Sequence, residues 1–220
     1  MYKDLKAIRG KFFIHRLIEE GEHEHQDFKY KISDARKIAR SISAFANNDG
    51  GQLLVGVKDN GVIAGIRSEE DLHVIEAAAE VFCRPRIEIE MQAYQCEGGL
   101  VVLRALIPRS RRRPVEVREE DGQWRSYYRV ADENIVAHPL MVRAWRLENS
   151  SADAPALSYD RGDGDLLAAL RHRGEASVEE LMVDVHLSRQ TAEATIVRLV
   201  GLGLIGFRYR HPRFVLTLVE

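Results

Sequence analysis

The stretch Ser43–Ile66 reads SAFANNDGGQLLVGVKDNGVIAGI and decides the fold of the first part of this chain. Within it, Gln52–Val57 is a short apolar run with the length and composition of a buried strand. The turn sequence Lys58–Gly61 (KDNG) then predicts a tight hairpin, because Asn and Gly accept the left-handed conformation that such turns need. We therefore expect the chain to return along Val62–Ile66 as a second strand.

The helix that enters this stretch is predicted from Asp34 to Asn47, with Ser33 as its N-cap. The pair Gly50-Gly51 follows its end, and two interpretations of this pair stay open. Glycine backbone N–H groups at a helix end can receive a phosphate, or the glycines only permit a tight helix-to-strand turn. The second interpretation needs no ligand and is the simpler one.

Outward from this stretch, the same patterns predict an α+β protein of two domains. Predicted helices cover residues 5–20, 68–82 and 139–147, predicted strand pairs cover 86–96 with 100–107 and 115–118 with 124–130, and residues 22–32 are predicted to be extended. The small, polar segment 149–163 contains Pro and Gly and predicts a linker. It separates a mixed α/β domain, 1–148, from a second domain, 164–220.

The composition narrows the classes of partner. The chain has 220 residues, of which 45% are hydrophobic and 30% charged, and its formal net charge is -2. A chain that is not a polycation binds nucleic acid only through local basic patches. Neither a signal peptide nor an apolar run long enough to span a bilayer is found, which predicts a cytoplasmic protein without a membrane partner. Two cysteines without CxxC spacing predict no zinc site.

The second domain has the element order of a winged helix-turn-helix. Ser177–Glu180 (SVEE) is a capping box that opens a short helix, and Ser188 caps a third helix after a tight turn. Gly201–Gly206 ends that helix, and two strand-like runs follow around the basic tip Arg208–Arg213. The order helix, helix, turn, helix, hairpin resembles the winged helix-turn-helix family across nearly all of residues 160–220.

Such a domain is expected to bind DNA through its third helix and its wing. The start of the third helix would meet base edges, Arg198 would meet phosphate, and the wing would reach the backbone or the minor groove. The side chains assigned to base edges are Arg189, Gln190 and Thr191, and those of the wing are Arg208, Arg210 and Arg213. We expect Thr195 to be exposed near Arg198. Acidic residues in the preceding helices leave a second interpretation open, a protein–protein interaction module.

The opening stretch also resembles the signature of a known family. AFAN at a helix end, a DGG turn, an apolar strand ending in Gly-Val and a D-x-G hairpin closing on Gly-Ile resemble the Schlafen-type AlbA domain family. Upstream, Glu22 with Asp27-Phe28-Lys29 is similar to the family's E…EFK element. Downstream, Tyr127-Tyr-Arg129 with Asn134 is similar to its Y-x-R…N segment. The resemblance covers about residues 15–147 and implies a mixed α/β fold, DNA binding and pairing as a homodimer.

Some members of the Schlafen family are endoribonucleases that hold a divalent metal with three carboxylates. Matched motif to motif, Glu22, Asp27 and Asp59 occupy those positions, and the resemblance then implies magnesium or manganese and an RNA substrate. Asp27 stands where the family usually has Glu, and its side chain is one methylene shorter. Asp59 is also an ordinary hairpin-turn residue. Metal-dependent cleavage is therefore an alternative hypothesis, and no cofactor is expected outside it.

The densest basic cluster of the chain is RSRRRP at positions 109–114, between two predicted strands. Its four arginines, Arg109, Arg111, Arg112 and Arg113, suit phosphate because a guanidinium can donate two parallel hydrogen bonds to it. A solvated loop tip is the alternative. We expect a DNA-binding protein, and a transcriptional regulator in particular. In it the second domain reads DNA sequence, and the first domain forms the dimer and contacts phosphate.

Overall fold

A computed structural model describes residues 6–66, 70–150 and 161–219 of the chain. The chain divides into two compact units, Met1–Ala137 and His138–Glu220, and both combine helices with sheets, as expected for an α+β fold. The helix that begins at Pro139 packs into the second unit, whereas the sequence pattern places it in the first domain. The first two residues of the predicted helix 68–82 and most of the predicted linker 149–163 lie outside the described residues.

The first unit contains nine strands and three α-helices among its described residues. In chain order they are β1 (Ile8–Arg9), α1 (Lys11–Glu20), β2 (Gln26–Lys29), α2 (Ala35–Asn47), β3 (Gly51–Val55), α3 (Glu70–Ala77), β4 (Cys83–Arg84), β5 (Glu90–Gln95), β6 (Val101–Ile107), β7 (Glu116–Arg118), β8 (Trp124–Val130) and β9 (Glu133–Val136). A π-helical turn, Ala78–Phe82, extends α3. The two predicted strand pairs are confirmed as β5–β6 and β7–β8.

Two sheets organise this unit. One has five strands in the order β1-β5-β6-β3-β2, and the other has four in the order β4-β7-β8-β9. Strand β3, next to the edge of the five-stranded sheet, pairs antiparallel with β6 and parallel with β2. The segment predicted to be extended at 22–32 therefore supplies β2, one outer edge of the five-stranded sheet.

The hairpin predicted after β3 is wrong in its second strand. Val62–Ile66 forms no strand of either sheet, and a single bridge joins Val57 to Ile63. Gly56 turns the chain out of β3 with φ +94°, and its carbonyl oxygen accepts the N–H of Gly65 at 2.9 Å. A Cβ on Gly56 would lie 2.7 Å from the carbonyl carbon of Gly65, so the approach requires glycine. The position beside β3 is taken by β6 instead.

Two helix starts also differ from the prediction. α1 begins at Lys11, later than its apolar spacing suggested, because Ile8–Arg9 pairs with β5 as a short parallel strand. The N-cap of α2 is Asp34 and not Ser33, since the carboxylate of Asp34 accepts the backbone N–H of Arg36 at 2.9 Å. Both short oxygen-bearing side chains suit an N-cap, and the one-residue difference depends on backbone geometry.

Helices cover both faces of the five-stranded sheet. α1 packs Ile14 and Leu17 onto one face, against Phe28, Leu54 and Val102. α2 and α3 cover the other face, whose apolar core uses the alternate residues of the same strands. The sheet is thus an inner layer, which accounts for the apolar run at 53–55.

A fully buried arginine joins the two sheets. Arg129 lies on β8, and its side chain is 1% exposed. Its Nη2 donates to the carbonyl oxygen of Gln26 at 3.2 Å and lies 3.5 Å from Oδ1 of Asp27, so it reaches β2 in the other sheet. Its Nη1 donates to Oδ1 of Asn134 at 3.0 Å, and the guanidinium lies 5.1 Å from the ring centre of Phe45. A carboxylate, two hydrogen-bond acceptors and an aromatic ring therefore compensate the buried positive charge of Arg129.

Side chains close the outer edge of β2. The outward N–H of Phe28 donates to Oε1 of Glu22 at 2.8 Å, and the outward carbonyl of Gln26 accepts from Arg129. Unpaired backbone groups at a sheet edge invite the addition of another strand. Glu22 and Arg129 therefore terminate the sheet at β2.

The second unit contains four helices and three strands among its described residues. In chain order they are α4 (Pro139–Ser150), α5 (Arg161–Arg173), β10 (Glu175–Ala176), α6 (Val178–Asp184), α7 (Arg189–Gly201), β11 (Ile205–Arg210) and β12 (Arg213–Leu218). The strands form one sheet in the order β10-β12-β11. Leu140, Leu170, Ile196 and Leu216 belong to its apolar core. None of the described helices of either unit is long and apolar enough to cross a bilayer.

The helix caps predicted in this unit are confirmed. Ser177 and Glu180 form a reciprocal capping box at the start of α6, and the hydroxyl of Ser188 accepts the backbone N–H of Thr191 at the start of α7. Both caps depend only on neighbouring residues, because each side-chain oxygen accepts a backbone N–H from the first turn of the helix that it caps.

Replacing Arg129 with Leu should destabilise the first unit by about 1–3 kcal/mol, because the carbonyl oxygen of Gln26 and Oδ1 of Asn134 would lose their donor, while Lys29 would still pair with Asp27. The measurement is urea denaturation in a Trp145→Phe background, where Trp124 fluorescence reports the first unit. Arg125→Leu is the control, since its guanidinium is on the same strand but pairs at the surface with Asp121. An Arg129→Leu midpoint equal to that of the control would show that the buried cation is dispensable.

Candidate nucleic-acid interface

The four arginines predicted to contact phosphate lie on one loop, 108–114, between β6 and β7. We call it the arginine loop. The N–H of Ser110 donates to the carbonyl oxygen of Ala46 at 2.9 Å, and Nη1 of Arg113 donates to that of Asn47 at 3.1 Å. A cation suits this position because the C-terminal end of a helix, here α2, carries partial negative charge. The loop is therefore braced against α2.

Two asparagines at the end of α2 fix the chain that leaves the arginine loop. The amide nitrogen of Asn47 donates to the carbonyl oxygens of Val115 and Tyr127 at 3.0 and 2.9 Å, and its oxygen accepts the N–H of Val115 at 2.7 Å. Asn48 bonds the backbone of Arg129 in the same way. Its amide nitrogen donates to the carbonyl oxygen of Arg129 at 2.9 Å, and its amide oxygen accepts the N–H of Arg129 at 3.1 Å. The two asparagines of the motif thus act as a structural clamp on β7 and β8.

The Gly50-Gly51 pair has a steric role. Gly50 has φ +82°, and a Cβ there would lie 2.8 Å from the carbonyl oxygen of Ile107. A Cβ on Gly51 would lie 2.3 Å from the ring of Phe45. The N–H of Gly50 already donates to the carbonyl oxygen of Phe45 at 3.0 Å. Of the two interpretations of this pair, the geometry fits the tight turn.

Two arginines of the loop are free for a partner. Arg111 and Arg112 are exposed, and neither forms an ion pair within the part of the chain that the structure describes. Arg109 is exposed but pairs with Oδ1 of Asp49 at 2.9 Å, and Arg113 is committed to α2. Neighbouring like charges repel, so an anion between Arg111 and Arg112 would lower the electrostatic energy of the loop.

A tyrosine borders the loop. Burial raises the pKa of Tyr128, the carboxylates of Glu24 and Asp49 raise it further, and the positive charge of Arg113 opposes them. The phenol therefore stays protonated at neutral pH and can donate a hydrogen bond. The same two carboxylates place negative charge at the margin of the loop, which favours Arg111 and Arg112 as the contact point for an anion.

Of the three carboxylates matched to a metal site, Glu22 and Asp27 lie together, but the three do not form one group that could hold a metal ion. Burial raises the pKa of Glu22, and a hydrogen bond with Asp27 raises it further. Asp27 also accepts from the hydroxyl of Ser41 at 3.3 Å and pairs with Nζ of Lys29 at 2.7 Å. Asp59 is exposed on the turn after β3. Residues 6–66, 70–150 and 161–219 contain no group of three or more His, Cys, Asp or Glu that could hold a metal ion.

In the second unit, the residues assigned to base edges differ in availability. Gln190 is exposed at the start of α7. Arg189 is exposed as well, but its guanidinium pairs with Glu179 at 3.0 Å and with Glu193 at 3.4 Å. The hydroxyl of Thr191 is engaged in the helix cap at 2.8 Å. Gln190 is therefore the one of the three that can bind without giving up a contact within the described residues.

Arg198, which was predicted to meet phosphate, is engaged in an ion pair within the second unit. Its Nη2 lies 2.5 Å from Oδ1 of Asp163, whose side chain is fully buried, and its own side chain is 23% exposed. Thr195, which was expected to be exposed, is buried. The cause is that α4 and α5 pack along this side of α7. Arg198 therefore stabilises the second unit.

α4 packs against α7 and covers part of its surface, which the sequence pattern did not indicate. Leu140 and Ala144 of α4 enter the core of the second unit, and Nη1 of Arg143 lies 2.8 Å from Oε2 of Glu193 on α7. The apolar spacing of α4 predicts a helix, but it does not tell which domain the helix serves. The predicted domain boundary was placed after α4, because the segment that follows α4 contains Pro and Gly.

The hairpin β11–β12 carries the three arginines that were predicted to form a wing. Arg208 and Arg213 are exposed, and neither forms an ion pair among the described residues. Arg210 pairs with Oε2 of Glu175 at 3.0 Å, which ties the hairpin to β10. The ring of His138 stacks on Phe207 of the hairpin at 4.8 Å, and burial lowers the pKa of His138. Two of the three wing arginines are thus free for phosphate.

Known structures resemble the chain only distantly. The DIP2311 protein from Corynebacterium diphtheriae is 20% identical with a TM-score of 0.41, over 68% of this chain and 34% of that one. This chain thus spans about a third of that protein. The N-terminal domain of an ATP-dependent DNA helicase RecG-related protein from Nitrosomonas europaea is 18% identical with a TM-score of 0.41, over 60% and 97%. BpsR from Bordetella bronchiseptica is 20% identical with a TM-score of 0.27, over 36% and 64%.

No curated protein matches the sequence. A family profile does match it: the family described as "Schlafen, AlbA_2" covers residues 22–138. The matched segment begins at Glu22 and includes the stretch 43–66, the arginine loop and the buried Arg129. Because these residues are more than half of the 220-residue chain, the protein belongs to the Schlafen AlbA_2 family.

Proposed function

We propose that this protein binds nucleic acid and that the arginine loop holds the phosphate backbone. The observation that carries the proposal is the pair Arg111 and Arg112, exposed and without ion pairs among the described residues on a loop braced against α2. A braced loop loses little conformational entropy when it binds, so more of the electrostatic attraction remains as affinity. Membership of a family with this expected activity supports the same class of ligand.

We further propose that the second unit is a winged helix and that the ligand is DNA, as in a transcriptional regulator. The order α5, β10, α6, α7, β11, β12 and the sheet order β10-β12-β11 support this assignment. In such a domain the start of α7 enters the major groove and the β11–β12 hairpin is the wing. Gln190 would read a base edge, and Arg208 and Arg213 would contact phosphate.

A second function, a protein–protein interaction module, is favoured by the charges around α7. Glu179 and Glu193 hold Arg189, and Arg143 on α4 holds Glu193 from the other side. DNA binding through Arg189 would have to break its two ion pairs, whereas a protein partner with mixed charge would not. If DNA binding depends on the arginine loop alone, the second unit serves this second function.

Changing Arg111 and Arg112 together to Ala should weaken binding to duplex DNA of any sequence. The slope of log K against log salt concentration should fall in magnitude by about 2, one for each lost phosphate contact. Fluorescence anisotropy with labelled duplexes of mixed sequence at several salt concentrations measures this slope.

The matched control is Arg86→Ala with Arg118→Ala, which removes the same charge from exposed positions of the same unit. The control should keep the wild-type slope. If both double variants change the slope equally, binding follows net charge and the arginine loop is not the site.

Changing Gln190 to Ala should alter sequence preference and leave non-specific affinity intact, because a lost base contact costs discrimination and not charge. Selection of bound sites from a random duplex library compares the preferred base at each position for the two proteins. Gln123→Ala, an exposed glutamine of the first unit, is the control. Identical preferred sequences for wild type and Gln190→Ala would remove α7 from base recognition.

We also propose that the active species is a homodimer, since a helix-turn-helix dimer reads two half-sites about one helical turn apart. Light scattering of the free protein should give twice the 25.0 kDa chain mass. Selected binding sites should show twofold symmetry. A monomer that binds a single asymmetric site would contradict the proposal.

A further inference from the structure

One aromatic side chain of the first unit is almost fully exposed to solvent. Phe12, in the first turn of α1, is 85% exposed, and Ile8 on the neighbouring edge strand β1 is 46% exposed. The buried residues of α1 are Ile14 and Leu17, which pack on the sheet. Phe12 therefore contributes nothing to that core. An aromatic side chain as exposed as Phe12 is available to a ligand.

Several basic residues lie within six positions of Phe12 in the chain. Lys6, Arg9 and Arg16 are exposed, and none of them forms an ion pair within the described residues. Lys11 lies among them, but its charge is compensated by a salt bridge with Glu97. The surroundings of Phe12 thus carry uncompensated positive charge.

A second aromatic ring continues this surface. The ring of Phe13 lies between two guanidinium groups, with Arg16 at 5.7 Å and Arg104 at 5.4 Å from its centre. Nε of Arg104 donates to Oε1 of Gln52 at 2.5 Å, which holds the arginine in place on the sheet. We call this surface the aromatic–basic face; it comprises Lys6, Arg9, Phe12, Phe13, Arg16 and Arg104.

The aromatic–basic face contains a cleft of about 530 Å³ between the start of α1 and the end of β5. Arg9, Phe12, Phe13 and Gln95 are among its lining residues. A Cβ on Gly10 at its floor would lie 2.2 Å from the ring of Tyr94, so the chain approaches the sheet as closely as it can there. Gly10 thus holds the start of α1 close to β5 on one side of the cleft, and Phe12 lines the cleft.

The charges of this face select its occupant. A second copy of the chain would bring Lys6, Arg9 and Arg16 against the same cations, which repel. A nucleic acid brings phosphates to the cations and flat bases to Phe12. In a duplex the bases are stacked on each other, so only a single strand can offer a base face.

We propose that the aromatic–basic face binds single-stranded nucleic acid, with a base stacked on Phe12 and the flanking phosphates held by Arg9 and Arg16. It shares no residue with the arginine loop or with the second unit, so it goes beyond the function proposed above. Stacking is tolerant of sequence because every base has a π-face. The face would thus hold any unpaired strand next to DNA bound elsewhere on the protein.

The test uses the 220-residue chain and measures its binding to a labelled oligothymidylate by fluorescence anisotropy. Phe12→Ala should raise the Kd for this single strand by roughly 5- to 150-fold, the range of one base–aromatic stack. Phe12→Trp should keep or improve binding, and Phe12→Leu should resemble Phe12→Ala because it is apolar but not flat. None of these changes removes core packing, since Phe12 is exposed. Affinity for a duplex of the same length should not change.

The outcomes separate this proposal from the arginine loop. A single-strand Kd that is the same for wild type and Phe12→Ala overturns the aromatic–basic face, whatever the duplex data show. A particle mass that halves in Phe12→Ala overturns it too, because the face would then be an interface between copies. If Phe12→Ala weakens single-strand binding while Arg111→Ala with Arg112→Ala leaves duplex binding intact, this face stands and the arginine loop fails.

Discussion

The first unit is organised around the compensation of one buried charge. Arg129 is removed from water, and a guanidinium in that position costs several kcal/mol unless a carboxylate and hydrogen-bond acceptors surround it. Asp27 and Gln26 supply them from β2, Asn134 supplies one from β9, and Phe45 of α2 supplies a ring face. Three motif segments, far apart in sequence, are therefore parts of one interaction. None of these elements can be placed without the others.

Sequence reasoning succeeded where the deciding chemistry is local. The capping box at Ser177 and the turn between β5 and β6 need only residues within a few positions, and both formed as predicted. It failed where the partner is distant. The turn after β3 was correctly recognised, yet β3 pairs with β6 instead of Val62–Ile66. No spacing rule shows that Arg198 pairs with Asp163, a residue on another helix.

The candidate site divides along the same line. Arginine density alone located the loop, because charge clusters are visible in any sequence. The sequence does not show that Arg113 bonds the end of α2 while Arg111 and Arg112 remain available. This difference depends on where the C-terminal end of α2 lies in the folded unit. The carboxylates show the opposite outcome. The motif match assigned metal binding to Glu22 and Asp27, but in the structure Glu22 accepts the N–H of Phe28 and Asp27 pairs with Lys29. Phe12 falls within the predicted helix 5–20, and only the structure shows that its side chain is exposed.

The closed edge at β2 has a consequence for how the protein misassembles. A chain that loses Glu22 keeps its core, yet it presents the N–H of Phe28 to any neighbouring extended segment. Such a chain would be recruited into intermolecular sheet while still largely folded. Selection on this carboxylate can thus act through solubility at cellular concentrations, independently of any ligand. A residue that a motif match assigns to catalysis can thus be kept because it prevents aggregation through an exposed strand edge.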